Sequence, residues 1–312
     1  MRDDIAISIN ELTKTFGKTA AVDHVTLDVR RGELFGLVGP DGAGKTTMMR
    51  MLTSIMLPTS GEAHVAGHSI LDDGERLKEK IGYMSQRFGL YEDLTVMENL
   101  TFYADLFSVP QRERAQRFER LLGFSNLTPF KARLAGRLSG GMKQKLGLAC
   151  ALIHTPEILF LDEPTNGVDP VSRRDFWKIL YDLLKDGITI FVSTAYLDEA
   201  ERCTRIGLMH KGKLMIHDEP SRVKKSLGMP MAQLWTSDSR QTAEIAIHAA
   251  GVRRVSAYGD NLHIAVERKE AVSAVINALQ AHGIEVKGER DILPSLEDIF
   301  IAMVQDEREP KK

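Results

Sequence analysis

From residue 5 to residue 35 apolar and polar positions alternate, with Ile5, Ile7 and Ile9 and then Val25, Leu27 and Val29 on one side of the pattern. A period of two is that of half-buried strands, so this stretch predicts antiparallel pairing. The pattern then changes. Residues 34–38 form an unbroken apolar run leading into a glycine-rich turn at 39–44, and residues 45–55 have helical spacing, closed by Pro58. Residues 88–154 read as mostly helical, with turn signals at Pro110, Pro129 and the Gly140, Gly141 pair. Short apolar strands return at 158–161 and 188–193, with a helix around 173–184 between them. Strands alternating with helices predict a parallel sheet covered on both faces. Beyond a compositional shift at 221–230 the order is strand 232–236, helix 241–250, strand 253–258, strand 262–266, helix 269–282 and strand 284–287. That βαββαβ order is the split, ferredoxin-like α+β arrangement. An amphipathic stretch at 296–304 predicts a docking helix, and residues 307–312 a disordered tail.

Length changes the picture from one core to two. A chain of 312 residues exceeds what one compact core needs, and the pattern divides it into a domain at 1–222, with a helical subdomain at about 88–154, and an accessory domain at 223–306. A net charge of -2 argues against a dedicated nucleic-acid binder, which would carry a basic stripe. No apolar run approaches the roughly 18 residues that cross a bilayer, and the start lacks the apolar core of a signal peptide. The expectation is a cytosolic protein that meets a membrane only through a partner. Cys150 and Cys203 are far apart and belong to no CxxC, so neither a disulfide framework nor a zinc site is expected.

The chemistry begins at Gly39, Pro40, Asp41, Gly42, Ala43, Gly44, Lys45 and Thr46, which match G-x-x-x-x-G-K-[ST], with Thr47 following. Glycines without Cβ let consecutive backbone N–H groups turn inward on phosphate oxygens. A helix starting at Lys45 points its positive end at the same anion. Lys45 suits the β- and γ-phosphates of a nucleoside triphosphate, and the Thr46 hydroxyl suits Mg2+. Downstream, a buried strand ends in Asp162 and Glu163. Adjacent side chains on a strand point apart, so Asp162 suits Mg2+ while Glu163 is free to polarise a water. Between these motifs lies Leu-Ser-Gly-Gly-Met-Lys-Gln at 138–144, a second glycine-rich helix start and hence a second anion cradle, with Ser139 as its cap.

With that signature between a phosphate loop and a strand ending in Asp-Glu, the chain from about residue 7 to residue 218 resembles the ATP-binding cassette (ABC) family. The resemblance implies a P-loop nucleotide-binding fold with a parallel core sheet, an antiparallel β subdomain and a helical subdomain, binding ATP and Mg2+. It implies a head-to-tail dimer with a second cassette, in which Ser139, Gly140 and Gly141 complete the ATP site of the opposite chain. Gln144, closing the same motif, goes with them among the nucleotide-binding positions. By motif, Phe16 matches the aromatic that stacks on adenine, and Gln86 the glutamine that contacts Mg2+ and the attacking water. Asp169 matches the loop that crosses the dimer interface. Residues 88–100 are similar to the segment that receives a coupling helix of the membrane subunit. The runs at 34–40 and 88–100 and the closing Pro-Ser-Leu-Glu-Asp-Ile-Phe at 294–300 resemble the ABC-2-type, daunorubicin-resistance-like exporter branch. In that branch the ATPase and the transmembrane permease are separate chains. The resemblance therefore implies a transport ATPase, cytoplasmic and peripheral on the inner face of the plasma membrane, with no nucleic-acid partner.

Two positions depart from the family. Its histidine after Ser-Thr is here Ala195, in Ser193-Thr194-Ala195-Tyr196. A methyl group cannot donate to a γ-phosphate, and a hydrogen bond to a charged group is worth roughly 1.5–3 kcal/mol. Nucleotide binding is expected to survive and turnover to be reduced. Asp41, where asparagine is frequent, is expected to turn its carboxylate away from the phosphates. Two alternatives stay open beside the motor reading: an ATP-operated clamp or degenerate partner cassette with little turnover, and a soluble non-transport ABC protein.

Overall fold

In the computed structural model the described residues are 4–87 and 89–308, with side chains as far as Gln305. The chain divides into two compact units, Met1–His217 and Asp218–Lys312. The first begins with β1 (Ile5–Phe16), β2 (Thr19–Arg30), β3 (Leu34–Val38), α1 (Lys45–Leu52), β4 (Ser60–Val65), β5 (His68–Ser69), α2 (Gly74–Lys80) and β6 (Ile81–Met84). It continues through α3 (Val96–Leu106), α4 (Gln111–Phe124), α5 (Gly140–Ala151), β7 (Ile158–Asp162), α6 (Pro170–Lys185), β8 (Thr189–Thr194), α7 (Leu197–Ala200), β9 (Arg205–His210) and β10 (Lys213–Asp218).

The alternating residues of β1 and β2 pair antiparallel, Ile7 opposite Val29 and Ile9 opposite Leu27, within a sheet ordered β2-β1-β4-β5. The continuous apolar runs lie in a six-stranded sheet ordered β10-β9-β3-β8-β7-β6. There β3, β8 and β7 are buried throughout and run parallel, as strands covered on both faces do. Helix α1 brings Met48, Met49 and Met51 into one core with Ile7, Ile9 and Phe160, joining the two sheets. It stops at Leu52, three residues short of the predicted end. The Thr53 hydroxyl bonds back to the Met49 carbonyl, and Ser54 takes a left-handed φ of 53° and donates to the Ile70 carbonyl. The predicted helical stretch is α3, α4 and α5. A capping box of Thr95 and Glu98 starts α3, and the Thr95 hydrogen bonds hold the Glu98 carboxyl below its ordinary range.

This topology sets the carboxyl ends of β3, β6, β7 and β8 side by side, where open α/β sheets place their ligands.

The second unit contains α8 (Pro220–Lys225), β11 (Met231–Thr236), α9 (Ser239–Ala246), β12 (Val252–Tyr258), β13 (Asn261–Val266), α10 (Ala271–Ala281), β14 (Val286–Ile292) and α11 (Leu296–Arg308). Its antiparallel sheet is ordered β12-β13-β11-β14, the split arrangement the sequence predicts. The last strand starts later and runs longer than expected, because its polar residues pair along β11 at the sheet edge. Helix α11 continues to Arg308, so residues 307 and 308, assigned to the tail, are helical. The rest of the predicted tail, 309–312, lies outside the described residues. Asp298 explains the closing motif. Its buried carboxylate accepts from the Ser295 amide and hydroxyl at 2.9 and 2.7 Å and from the Tyr258 hydroxyl at 3.0 Å, with His263 Nδ1 at 3.1 Å. Cap and sheet are thereby tied to one acid. Burial and the Asp298 charge push the Tyr258 hydroxyl above its usual range.

Candidate nucleotide site

The loop between β3 and α1 is bent by backbone that only glycine accepts readily. Gly42 and Gly44 have φ of 76° and 108°, and a Cβ on Gly39 or Gly44 would collide with the carbonyl oxygen of Met209 or Ala21 respectively. The loop thus rests against β9 on one side and β2 on the other. It borders a cavity of about 340 Å³ lined by Ala21, Asp41 through Thr47, Gln86 and Glu163. Phe16, at the tip of the β1–β2 hairpin that supplies Ala21, is half exposed, with the Lys14 ammonium 5.4 Å from its ring centre.

Inside, the charges are paired. Lys45 is only 4% exposed, and its ammonium donates to the Gly39 and Pro40 carbonyls at 2.8 and 3.1 Å. It also forms an ion pair with Glu163 Oε1 at 3.0 Å. Glu163 Oε2 accepts from the Gln86 amide at 3.0 Å. A γ-phosphate approaching Lys45 therefore competes with Glu163. Asp162 is fully buried, and Oδ1 accepts from Thr46 at 3.1 Å and Ser193 at 2.7 Å. Its Oδ2 is buried with no hydrogen-bond partner. Desolvation holds the Asp162 carboxyl above its ordinary range. Burial and then the Asp162 charge push the Tyr83 hydroxyl up to about 12. An orphaned carboxylate oxygen beside a threonine hydroxyl is a donor set suited to a hard cation such as Mg2+, directly or through water.

Glu163 itself stands at φ 48°, left-handed and non-glycine. Such a conformation costs on the order of 1–3 kcal/mol and persists only where its surroundings fix it. Its amide is held by the Ser193 hydroxyl at 2.9 Å and the Ser193 carbonyl at 3.2 Å. Nothing in the sequence signals that strain. A second cavity of about 110 Å³ lies beside it, lined by Asp41, Glu163, Thr165, Asn166, Thr194, Ala195 and Tyr196. Asp41 is exposed and borders both cavities.

The second glycine-rich cradle is built differently. Ser139 caps α5, accepting from the Met142 amide at 3.3 Å. Around Gly140 a Cβ would meet open space, whereas at Gly141 it would lie 2.6 Å from Ser172 Cβ on α6. Asp169 caps α6, accepting from the Val171 and Ser172 amides at 3.1 and 2.9 Å; the Ser172 side chain first, and then these amides, hold its carboxyl below its ordinary range. The structure therefore packs Gly141, itself buried, beside the exposed Asp169 cap. Ser139, Gly140 and Gly141 line neither cavity of the Lys45 site. Gln144 points elsewhere: it is fully buried and donates to the Pro164 carbonyl.

Between these features, residues 89–106 present Tyr91, Phe102 and Leu106 to solvent, Tyr91 and Phe102 packed edge to face at 4.5 Å. Asn99 pins the loop before α3 through the carbonyls of Tyr91, Leu94 and Thr95. Phe88, where the predicted coupling segment begins, lies outside the described residues. Among the described residues no helix is long and apolar enough to cross a membrane. Both cysteines are buried and free.

Comparison with known proteins bears on this geometry. Residues 22–166 match the family model for the ABC transporter, and residues 219–304 that for the C-terminal domain of DrrA1-3-like ATP-binding proteins. Over 313 residues the chain is 31% identical to the daunorubicin resistance ATP-binding protein DrrA3 of Streptomyces coeruleorubidus, covering 99% of each chain. The chain belongs to the ABC transporter ATP-binding family. The family resemblance and the expected cassette fold with a second α+β domain are thereby borne out. The cassette is also 43% identical over 307 residues to the probable multidrug ABC transporter ATP-binding protein YbhF of Escherichia coli. That match takes in 97% of this chain but spans only about half, 52%, of the relative. Among solved structures, the dimeric, post-hydrolysis ATP-binding cassette MJ0796 bound to ADP and Pi superposes with a TM-score of 0.62 at 28% identity. It covers 68% of this chain and 98% of that one.

Proposed function

We propose that this cassette is the ATP-hydrolysing subunit of an ABC exporter, driving a separate transmembrane permease from the inner face of the plasma membrane. In this reading the ATP-binding domain, with its helical subdomain at about 88–154, is the unit ending at His217, and the accessory domain is the unit beginning at Asp218, a few residues before the expected 222/223 division and ahead of α8. The observation that carries the reading is the pair of anion cradles: one around Lys45, the other at Ser139 and Gly140, open to solvent and outside the first cavity. Two cassettes facing head to tail would set the second cradle over the nucleotide held by the first. Asp169, capping the helix beside Gly141, lies at the same surface.

In the reaction, the loop 39–47 and Lys45 bind and orient the triphosphate. Phe16 offers its exposed face to the base. Thr46 and Asp162, with Gln86, would hold Mg2+, which supplies neutralisation of the phosphate charge when bound. Glu163, released from Lys45 as phosphate takes its place, accepts a proton from the water that attacks the γ-phosphorus. Gln86 orients that carboxylate. Catalysis is then positioning and charge stabilisation, as in phosphoryl transfer generally. The exposed aromatic patch at Tyr91 and Phe102 suits the permease contact, and the buried Gln144 holds the loop after β7. Ala195 favours a second reading, a cassette with low turnover whose intact signature serves a stronger site on a different partner. The similarity to drug-resistance proteins supports export of drug-like compounds.

The test uses Glu163→Gln with ATP and Mg2+. Hydrolysis should vanish, ATP binding persist, and a paired species appear on gel filtration. Adding Ser139→Arg should abolish pairing without weakening binding to the single chain. Turnover unaltered in Glu163→Gln would remove that residue from the reaction, and pairing indifferent to Ser139→Arg would defeat the two-cradle site. Membrane association that depends on a co-expressed permease tests the partner.

A further inference from the structure

Glu199, on the short helix α7, is a fully buried carboxylate outside both cavities. Its Oε1 accepts from the Thr165 hydroxyl at 2.5 Å and its Oε2 from the Thr194 hydroxyl at 2.8 Å. Arg173 Nε stands 3.4 Å from Oε1, and the Arg173 guanidinium lies 4.4 Å over the Tyr196 ring. The single acid thus touches three separate segments: the loop after β7, the exit of β8 and the first turns of α6.

Two of those segments carry the chemistry. Thr165 is two residues past Glu163, in a loop whose other side is gripped by buried Gln144 through the Pro164 carbonyl. Asn166, next to Thr165, donates to Glu163 Oε2 at 3.4 Å. Thr194 also accepts from the Tyr196 amide at 3.0 Å, and the Glu199 amide donates to the Tyr196 carbonyl at 3.2 Å. Residue 195 therefore sits in a turn closed on both sides by bonds that end at Glu199. A left-handed Glu163 needs fixed neighbours, and a buried carboxylate with a hydroxyl donor on each oxygen supplies rigidity, while Arg173 Nε adds an ion-pair contact without a hydrogen bond.

We propose that Glu199 is a positioning residue for hydrolysis: it bolts the Thr165 loop, and with it the strained Glu163 backbone, to the turn that presents residue 195. The proposal rests on Glu163 being the hydrolytic carboxylate. Its consequence is that Glu163 keeps its aim without the family's histidine, because the turn is held by Glu199 and not by the side chain at 195.

The experiment compares the full chain with Thr165→Val, which keeps the shape and loses the donor, Glu199→Ala and Glu199→Gln. Three quantities are read: kcat and KM for ATP by phosphate release, ATP binding, and amide hydrogen exchange across 162–169 without nucleotide. Misplacement of a reacting group by about 1 Å costs on the order of 100-fold, so Glu199→Ala should lose about that in kcat and Thr165→Val about 10-fold, with KM within about twofold. Exchange at 163–168 should quicken at least about tenfold while α1 is unchanged, the signature of a local opening. Glu199→Gln, whose amide can still serve both hydroxyls, should recover most of the rate. Thr165→Val with native kcat and native exchange overturns the proposal, as does loss that tracks ATP binding or exchange throughout the fold. If Glu199→Ala does not fold, Thr165→Val decides alone. Wild-type turnover that survives Glu163→Gln would defeat the underlying assignment instead, and the exchange measurement, which needs no turnover, still judges the bolt.

Discussion

Placing a histidine at 195, where the sequence reading expects one, is the sharpest perturbation available. Ala195 lines a cavity of about 110 Å³ together with Glu163, Asp41 and Asn166, so Ala195→His places an imidazole into existing space without displacing core. The backbone on either side is pinned by the Thr194 and Tyr196 bonds, which fixes the direction in which the ring enters. An imidazole there stands across the cavity from Asp41 and Glu163 and offers an N–H donor toward the γ-phosphate. A bond to a charged group is worth roughly 1.5–3 kcal/mol; expressed only in the transition state, that is about 10- to 150-fold in rate. Part is lost because the ring must be ordered and must share the cavity with the Asn166 and Tyr196 side chains. The expected gain in kcat is several-fold, with KM nearly unchanged. Phosphate release at saturating Mg-ATP measures it, with Ala195→Leu as a filler that offers no donor. A flat or falling rate in a folded, ATP-binding Ala195→His protein refutes the argument. An equal rise in Ala195→Leu assigns the gain to packing.

Other outcomes follow from single contacts. Gly140→Ala should leave the isolated chain's melting temperature unchanged, because its Cβ meets open space, yet block ATP-dependent pairing; Gly141→Ala should destabilise the chain by about 1–3 kcal/mol through overpacking on Ser172, and Ser172→Gly should rescue it. Asp298→Ala strips a cap and leaves three half-buried partners without their acceptor, so the second unit should lose about 2–4 kcal/mol, read by denaturant unfolding or limited proteolysis; Asp298→Asn should cost less. Burial holds the His154 imidazole, stacked on Phe107 at 3.9 Å, below its ordinary 6.5. The unfolded chain then takes up the proton first as pH falls, so this contribution is complete above about pH 6.5 and drains away below it until the folded imidazole titrates. His154→Gln, which can still donate to the Ile81 carbonyl, should flatten that acid slope in urea midpoints, and an unchanged slope would count against it.

Most of the architecture was legible because hydrophobic period and burial coincide. The unbroken run in β3 and the alternation along β2 each match the burial that the two sheets impose. Boundaries were missed where a side chain, not the pattern, ends the element. Thr53 and Ser54 are compatible with helix by propensity, and only their bonds to Met49 and Ile70, the latter distant in sequence, show that the chain turns away. Strand β14 was read short because it is an edge strand. Its Lys287, Glu289, Arg290 and Asp291 blunt a free edge, a device that erases the apolar signal by which strands are recognised.

The site divides along the same line. Lys45, Thr46, Asp162 and Glu163, the groups proposed to hold phosphate and Mg2+, stand out in the sequence by residue type and spacing, and the fold brings them together. Their present pairing was not legible there, since the Lys45–Glu163 contact joins positions more than a hundred residues apart. The glycines show the difference most clearly. Both Gly140 and Gly141 read as a phosphate cradle, but only Gly140 faces open space; Gly141 is already required by Ser172 within its own chain. A residue type can therefore be demanded twice, by ligand and by packing, and sequence reports the sum. Glu199 is the extreme case. It sits in an ordinary-looking Leu-Asp-Glu-Ala run, and its importance arises from three segments that converge on it only after folding. Motif reading finds the groups proposed to touch substrate; the groups that hold a strained Glu163 in place are found by asking what keeps φ at 48°.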